Sequence, residues 1–153
     1  MTKPVYLDDF IPGQVREFGR HDVTTDEIIA FASKYDPQPF HTDPEAAKSS
    51  FYGGLIASGW MTVGIAMRMV CDDYLVGAAS LGSPGVDQIR WLKPVRPGDI
   101  LRLRLTTRDV RPSQSKPDRG VVRSLWEVLN QDDEVVMTLE GMGMFRRRPA
   151  ASA

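Results

Sequence analysis

Gly59-Trp60-Met61-Thr62-Val63-Gly64-Ile65-Ala66-Met67-Arg68-Met69-Val70-Cys71-Asp72-Asp73-Tyr74 decides the fold. From Trp60 onward it is apolar almost all round, the composition of a helix enclosed by other elements rather than laid on a surface. The methionines Met61, Met67 and Met69 need no cofactor to explain them. The second half of the chain is strand-like. Leu101, Leu103, Leu105 and Thr107 alternate with Arg102, Arg104, Thr106 and Arg108, so one face is buried and the other wet. Further strands are expected over residues 85–93, 121–130 and 134–146, the last two joined by a hairpin turn at Gln131-Asp132-Asp133. A buried helix succeeded by antiparallel strands predicts an α+β domain whose sheet packs on that helix. Alternation leaves the strand order open.

Upstream, an entry strand near residues 14–20 leads to Thr24-Thr25-Asp26-Glu27, which reads as a capping box with Thr24 as N-cap. Ile28, Phe31, Ala32 and Tyr35 recur at helical spacing, so this helix buries one stripe and delivers Asp36 as it ends. The stretch Tyr35-Asp36-Pro37-Gln38-Pro39-Phe40-His41 reads as a loop stiffened by its two prolines. It presents a carboxylate and an imidazole five residues apart. Asp43 and Pro44 then open a short helix that ends near residues 49–50. Residues 111–119, polar with two prolines, read as a mobile loop. Residues 149–153 read as a disordered tail, which leaves 1–148 as one domain. There is no internal repeat.

Composition narrows the function. A chain of 153 residues, 42% hydrophobic and 25% charged, has the make-up of one globular domain with a real core. Nineteen basic against 20 acidic residues leave a formal charge of −1, and no basic stripe is interleaved with aromatic residues, so nucleic acid is not an expected partner. No apolar run reaches the roughly 18 residues of a membrane span, and the start of the chain leads into polar sequence, so a cytoplasmic protein without a membrane partner is expected. A single cysteine, Cys71, excludes an internal disulfide and a thiolate zinc cluster. No metal site is expected.

With only His21 and His41 in the chain, the choice of imidazole is narrow, and histidine is the side chain that titrates nearest neutral pH. Asp36 and His41 therefore form a plausible general-base pair. The plainer reading is that Asp36 braces the loop and His41 is a hydrogen-bonded residue beside the next helix. At the start of the long helix, four N–H groups lack intrahelical acceptors, and Gly59 has no side chain to keep an oxyanion away.

Asp36-Pro37-Gln38-Pro39-Phe40-His41, then Gly53-Gly54-Leu55-Ile56-Ala57-Ser58-Gly59, then Trp91-Leu92-Lys93-Pro94-Val95-Arg96-Pro97-Gly98-Asp99, together resemble the MaoC-like, R-specific enoyl-CoA hydratase group of hot-dog proteins. The resemblance covers most of the chain. It implies a curved antiparallel sheet wrapped around a long central helix, a homodimer or higher oligomer, and active sites at or near the subunit interface. It also implies a hydro-lyase that interconverts a 2-enoyl-CoA and a (3R)-3-hydroxyacyl-CoA in acyl-CoA or fatty acid metabolism. The thioester, on coenzyme A or acyl carrier protein, would be substrate, with no cofactor. By position, Asp36 and His41 correspond to the family's catalytic pair, and Gly59 to the glycine whose N–H holds the thioester oxygen. The chain departs from the family pattern at Gln38, where Asn is usual, at Ser58, often His, and at Met67, where some members place a serine.

Phe40, Trp60 and Met61 are candidate pocket walls, each of which reads equally as plain core. Arg90, Lys93 and Arg96 are candidate partners for the phosphates of coenzyme A, with Arg146-Arg147-Arg148 as a second cluster, although strand arginines ordinarily form a solvated face. Two other readings are a hot-dog thioesterase and a non-catalytic acyl-thioester-binding subunit.

Overall fold

The computed structural model describes residues 3–151 and contains one antiparallel sheet built against a central helix. Strand β1 (Val15–Asp22) is followed by α1 (Thr25–Tyr35), α2 (Pro39–Thr42), α3 (Pro44–Lys48) and α4 (Gly59–Val70). Then come β2 (Ser80–Gly82), β3 (Val86–Trp91), β4 (Ile100–Pro112), β5 (Arg119–Leu129) and β6 (Val135–Arg146). The order across the sheet is β1-β4-β5-β6, with β2 and β3 both pairing with β6. Strand β2 and the turn α2 were not foreseen. His41 thus stands on a helical turn rather than in an extended loop, because Pro39 at the first helical position costs that turn no hydrogen bond.

The alternation in β4 is realised: Leu101, Leu103 and Leu105 are buried, while Arg102 and Arg104 meet Glu17, Glu127 and Asp133 on the outer face. The inner leucines pack with Met61, Ile65, Ala66 and Met69 of α4 and with Val128, Met137 and Leu139 of the sheet. Burying one such side chain contributes about 1.5–3 kcal/mol. β1 can cross the helix because Gly19, at φ +86° within a register shift, has no Cβ; one built there would lie 2.7 Å from Cγ and Sδ of Met69.

Three local expectations are corrected. Thr24 accepts from the Glu27 N–H at 3.2 Å, but Glu27 does not complete the box; its carboxylate lies 2.6 Å from His21 Nε2 and ties α1 to β1. The loop expected over residues 111–119 is shorter, since β4 continues to Pro112 and β5 begins at Arg119, leaving a six-residue connection. The long helix is not enclosed all round: Trp60, Gly64 and Met67 are exposed along one stripe.

Beyond Val70 the helix widens into a π-helical turn, Cys71–Leu75. It sends Tyr74 and Leu75 against a second, smaller cluster of Leu7, Val122 and Phe145, and burial pushes the Tyr74 phenol up to about 12. The hairpin at 131–133 forms as expected: the Asn130 side chain accepts from the N–H groups of Asp132 and Glu134, and Asp133 takes φ +60°. Residues 149–151 carry no secondary structure, and the end of the expected tail, residues 152–153, lies outside the described residues. Among the described residues no helix is long and apolar enough to cross a membrane.

Candidate active site

Asp36 is the C-cap of α1, its N–H donating to the Ala32 carbonyl at 2.8 Å, so the helix end fixes where its side chain begins. Beyond α3, the segment leading into α4 runs back past it. That segment is anchored by Ile56 N–H to the Phe40 carbonyl at 3.1 Å and Ala57 N–H to the Val95 carbonyl at 2.8 Å. Asp36 and His41 thereby meet the N-terminus of α4.

His41 is 5% exposed, and its Nδ1 lies 2.7 Å from the Ile56 carbonyl. A carbonyl only accepts, so Nδ1 carries the proton and, in the neutral ring, Nε2 is left as a lone pair. That Nε2 is 3.3 Å from Asp36 Oδ2. Two acceptors at that separation converge on the same small volume, where one O–H of a water can be held by both.

The other contacts of Asp36 define its state. Gln38 Nε2 donates to Oδ1 at 2.7 Å, and Ser58 Oγ donates to Oδ2 at 2.8 Å. Burial pushes the carboxyl up, but the Gln38 and Ser58 hydrogen bonds, joined by the charge of His41 when its ring is protonated, outweigh it and hold it below its ordinary value. Asp36 is therefore an ionised acceptor at neutral pH.

In the first turn of α4, the Trp60 N–H goes to Ser58 Oγ at 3.3 Å, and the N–H groups of Met61 and Thr62 go to the Ser58 carbonyl. The Gly59 N–H has no acceptor among the described residues. Gly59 lines the same cavity of about 550 Å³ as Asp36, Gln38, Phe40 and His41. The Gly59 Cα faces the indole of Trp91, so a Cβ there would lie 2.3 Å from Cε2 and 2.4 Å from Nε1. The glycine is thus required first by the packing of Trp91, a reason absent from the sequence reading.

The structure brings together some of the residues singled out from sequence and separates others. Phe40 and Trp60 line the cavity, with Trp60 set edge-on to Trp91 at 5.3 Å between ring centroids. Met61 does not; it is 5% exposed and packs in the core, one position round the helix from Trp60. Lys93 lines the cavity and pairs with Glu134. Arg96 lies outside the lining residues and donates to the Tyr52 carbonyl at 2.7 Å, holding the loop that forms one rim. Arg90 is exposed on β3, its guanidinium on the carbonyl of Ile89. Ser58 and Trp91 were missed as parts of the site. A serine before a helix glycine is an N-cap signal that could have marked the first; nothing in the sequence marks the second. Among the described residues no group of three or more His, Cys, Asp or Glu side chains is placed to hold a metal ion.

A curved sheet against one long helix, with a carboxylate–imidazole pair at that helix's N-terminus, defines a hot-dog domain with an acid–base pocket. Residues 3–127 match the MaoC like domain, and the chain belongs to that family. A MaoC-like dehydratase from Rhodospirillum rubrum superposes with a TM-score of 0.87 at 40% identity, over 95% of this chain and 99% of that one. The uncharacterised protein YdeM of Bacillus subtilis (strain 168) is 30% identical over 135 residues, 88% of this chain and 93% of that protein. The 3-hydroxyacyl-thioester dehydratase Z of Mycobacterium tuberculosis is 33% identical over 82 residues, 52% of this chain and 54% of that protein.

Proposed function

We propose that this protein is a hydro-lyase that interconverts a 2-enoyl thioester, on coenzyme A or acyl carrier protein, and the corresponding (3R)-3-hydroxyacyl thioester. The observation that carries the reading is the convergence of Asp36 Oδ2 and His41 Nε2, 3.3 Å apart, in a cavity also lined by Gly59, whose N–H has no acceptor among the described residues. Membership of a family that includes dehydratases supports it.

In the hydration direction a water rests on Asp36 and His41. Its oxygen adds to the β-carbon as its proton passes to His41 Nε2, the acceptor that Nδ1–H donation to Ile56 leaves available. The π electrons of the α,β bond move toward the thioester, whose oxygen becomes an enolate oxyanion at the Gly59 N–H. A proton returned to the α-carbon completes the addition, and dehydration is the reverse. A pre-aimed donor of this kind lowers the barrier by about 3 kcal/mol because it need not reorganise as charge develops. Phe40, Trp60 and Trp91 supply the apolar wall beside the acyl group, and Lys93 at the rim is the basic residue best placed for the carrier's phosphates. The step draws on side chains and backbone alone, so it calls for no cofactor.

The chain is further proposed to act as a cytoplasmic homodimer. Among the described residues β3 pairs only with β6, and it carries Val86 and Trp91, both about half exposed, of which Trp91 lines the Asp36 cavity.

Absorbance of the conjugated enoyl thioester, monitored with crotonyl-CoA beside a free-thiol assay, tests the reading. Loss of absorbance without thiol release is expected, and thiol release would indicate a thioesterase. Asp36→Asn and His41→Ala should each lower turnover at least about 100-fold, the scale of general acid–base help. Full activity in both would overturn the mechanism, whereas binding of the thioester without turnover by wild type or either variant would favour a binding subunit.

A further inference from the structure

We infer that Ser58 is a positioning residue: its buried hydroxyl orients the Asp36 carboxylate against His41 and couples it to the start of α4. The inference rests on the hydration reading, since the carboxylate that Ser58 orients is the one assigned there to the attacking water.

The direction of the Ser58 hydroxyl is fixed by its neighbours. Oγ accepts from the Trp60 N–H at 3.3 Å, which leaves a single O–H to donate, and the acceptor in reach is Asp36 Oδ2 at 2.8 Å. Ser58 is 1% exposed, so solvent does not reach the serine's side of the carboxylate to take over this bond. Gln38, the other donor to Asp36, is exposed, and water can take over its bond to Oδ1. Of the two donors, Ser58 is therefore the one that sets the carboxylate plane. That plane places Oδ2 3.3 Å from His41 Nε2.

Ser58 also precedes Gly59 directly, and as N-cap it fixes the first turn of α4. One residue thus sets the spacing between the pair that holds water and the N–H that meets the enolate oxygen. The titratable group in contact with Asp36 is His41; Tyr52 and Lys93 line the same cavity, and Lys93 is engaged by Glu134.

The test compares Ser58→Ala and Ser58→Thr with wild type in crotonyl-CoA turnover and in a carbon NMR titration of the Asp36 carboxyl. In Ser58→Ala, kcat should fall at least about tenfold, the scale of one hydrogen bond to a charged group, with KM changed less than about twofold. The Asp36 midpoint should move to higher pH. Ser58→Thr, which keeps a hydroxyl, should recover most of both. A serine that served only the fold would lower thermal stability and leave kcat and midpoint as in wild type, and that result overturns the inference. Should wild type turn over no enoyl thioester, the hydration reading fails, and the titration still decides: an unmoved midpoint in Ser58→Ala overturns the inference, and a raised midpoint restored by threonine sustains it. If the alanine variant does not fold, Ser58→Cys, a weak donor, replaces it with the same readouts.

Discussion

Replacing Gly59 by alanine should damage stability and chemistry together, through a side chain that lies outside the acid–base pair. The added Cβ would sit 2.3 Å from Cε2, 2.4 Å from Nε1 and 2.8 Å from Cδ2 of Trp91. The indole is rigid and must retreat by about 1 Å to reach ordinary contact distance. Its backbone cannot follow, because Trp91 is held in register opposite Met137 on β6. The ring must therefore rotate away, giving up the edge-on contact with Trp60. Overpacking costs about 1–3 kcal/mol and the aromatic contact about 0.5–1.5 kcal/mol. A total near 3 kcal/mol lowers Tm by roughly 10 °C for a chain of this size. Turnover of crotonyl-CoA should fall by about two orders of magnitude as the helix start shifts and its N–H loses aim. Thermal unfolding and single-substrate kinetics on the same preparation measure both. A Gly59→Ala protein whose Tm stays within about a degree of wild type would refute the packing argument, whatever its activity.

Other consequences are separable. Trp60 lines both the Asp36 cavity and a second, apolar groove of about 550 Å³ along α4. Trp60→Ala should join the two and raise kcat/KM for long-chain enoyl thioesters relative to crotonyl-CoA by about tenfold; an unchanged ratio would show that the indole is no barrier. Leu103→Ala, at a wholly buried position, should cost about 2–5 kcal/mol in urea unfolding, and a loss below about 1 kcal/mol would contradict the core assignment. The bidentate bond from Arg104, at 2.9 Å to each oxygen, holds the Glu127 carboxyl below its ordinary 4.5 against the opposing effect of burial. A carboxyl lowered on folding contributes stability that is present above its ordinary value and lost as pH falls through the lowered one. The stability gap between wild type and Glu127→Gln should therefore be constant near neutrality and close below pH 4.5; a gap unchanged at about pH 3 would contradict this.

Much of the frame was legible because it depends on short-range chemistry. Thr24 and Asp43 cap the helices they were expected to open, and the leucines of β4 face the core, since caps and alternation are written within a few residues. Asp36 and His41 could be nominated as a pair because only five residues separate them. Ser58 could not be joined to them by pattern, since its bond to Asp36 spans 22 residues. Trp91 over Gly59 is likewise a contact between a strand and a helix whose pairing no periodicity records. Met61 and Trp60 show the same limit on one helix. Adjacent and both apolar, they point about 100° apart, one into the core and one into the cavity. Glu27 chose His21 over its own helix cap, a competition that the spacing of a capping box does not describe.

The widened turn at Cys71–Leu75 bears on how the molecule comes apart. By swinging Tyr74 and Leu75 outward, it makes one stretch of chain belong to two apolar clusters, one beneath the sheet and one closed by Leu7 and Phe10. The segment around Leu7 and Phe10 therefore covers the far end of the curved sheet. Phe10 rests on Phe145 and Tyr74, so loosening it unseats the last strand and the end of the central helix at once. The segment around Leu7 and Phe10 touches none of the chemistry, yet through Tyr74 it is packed against the far end of the helical stretch that opens at Ser58.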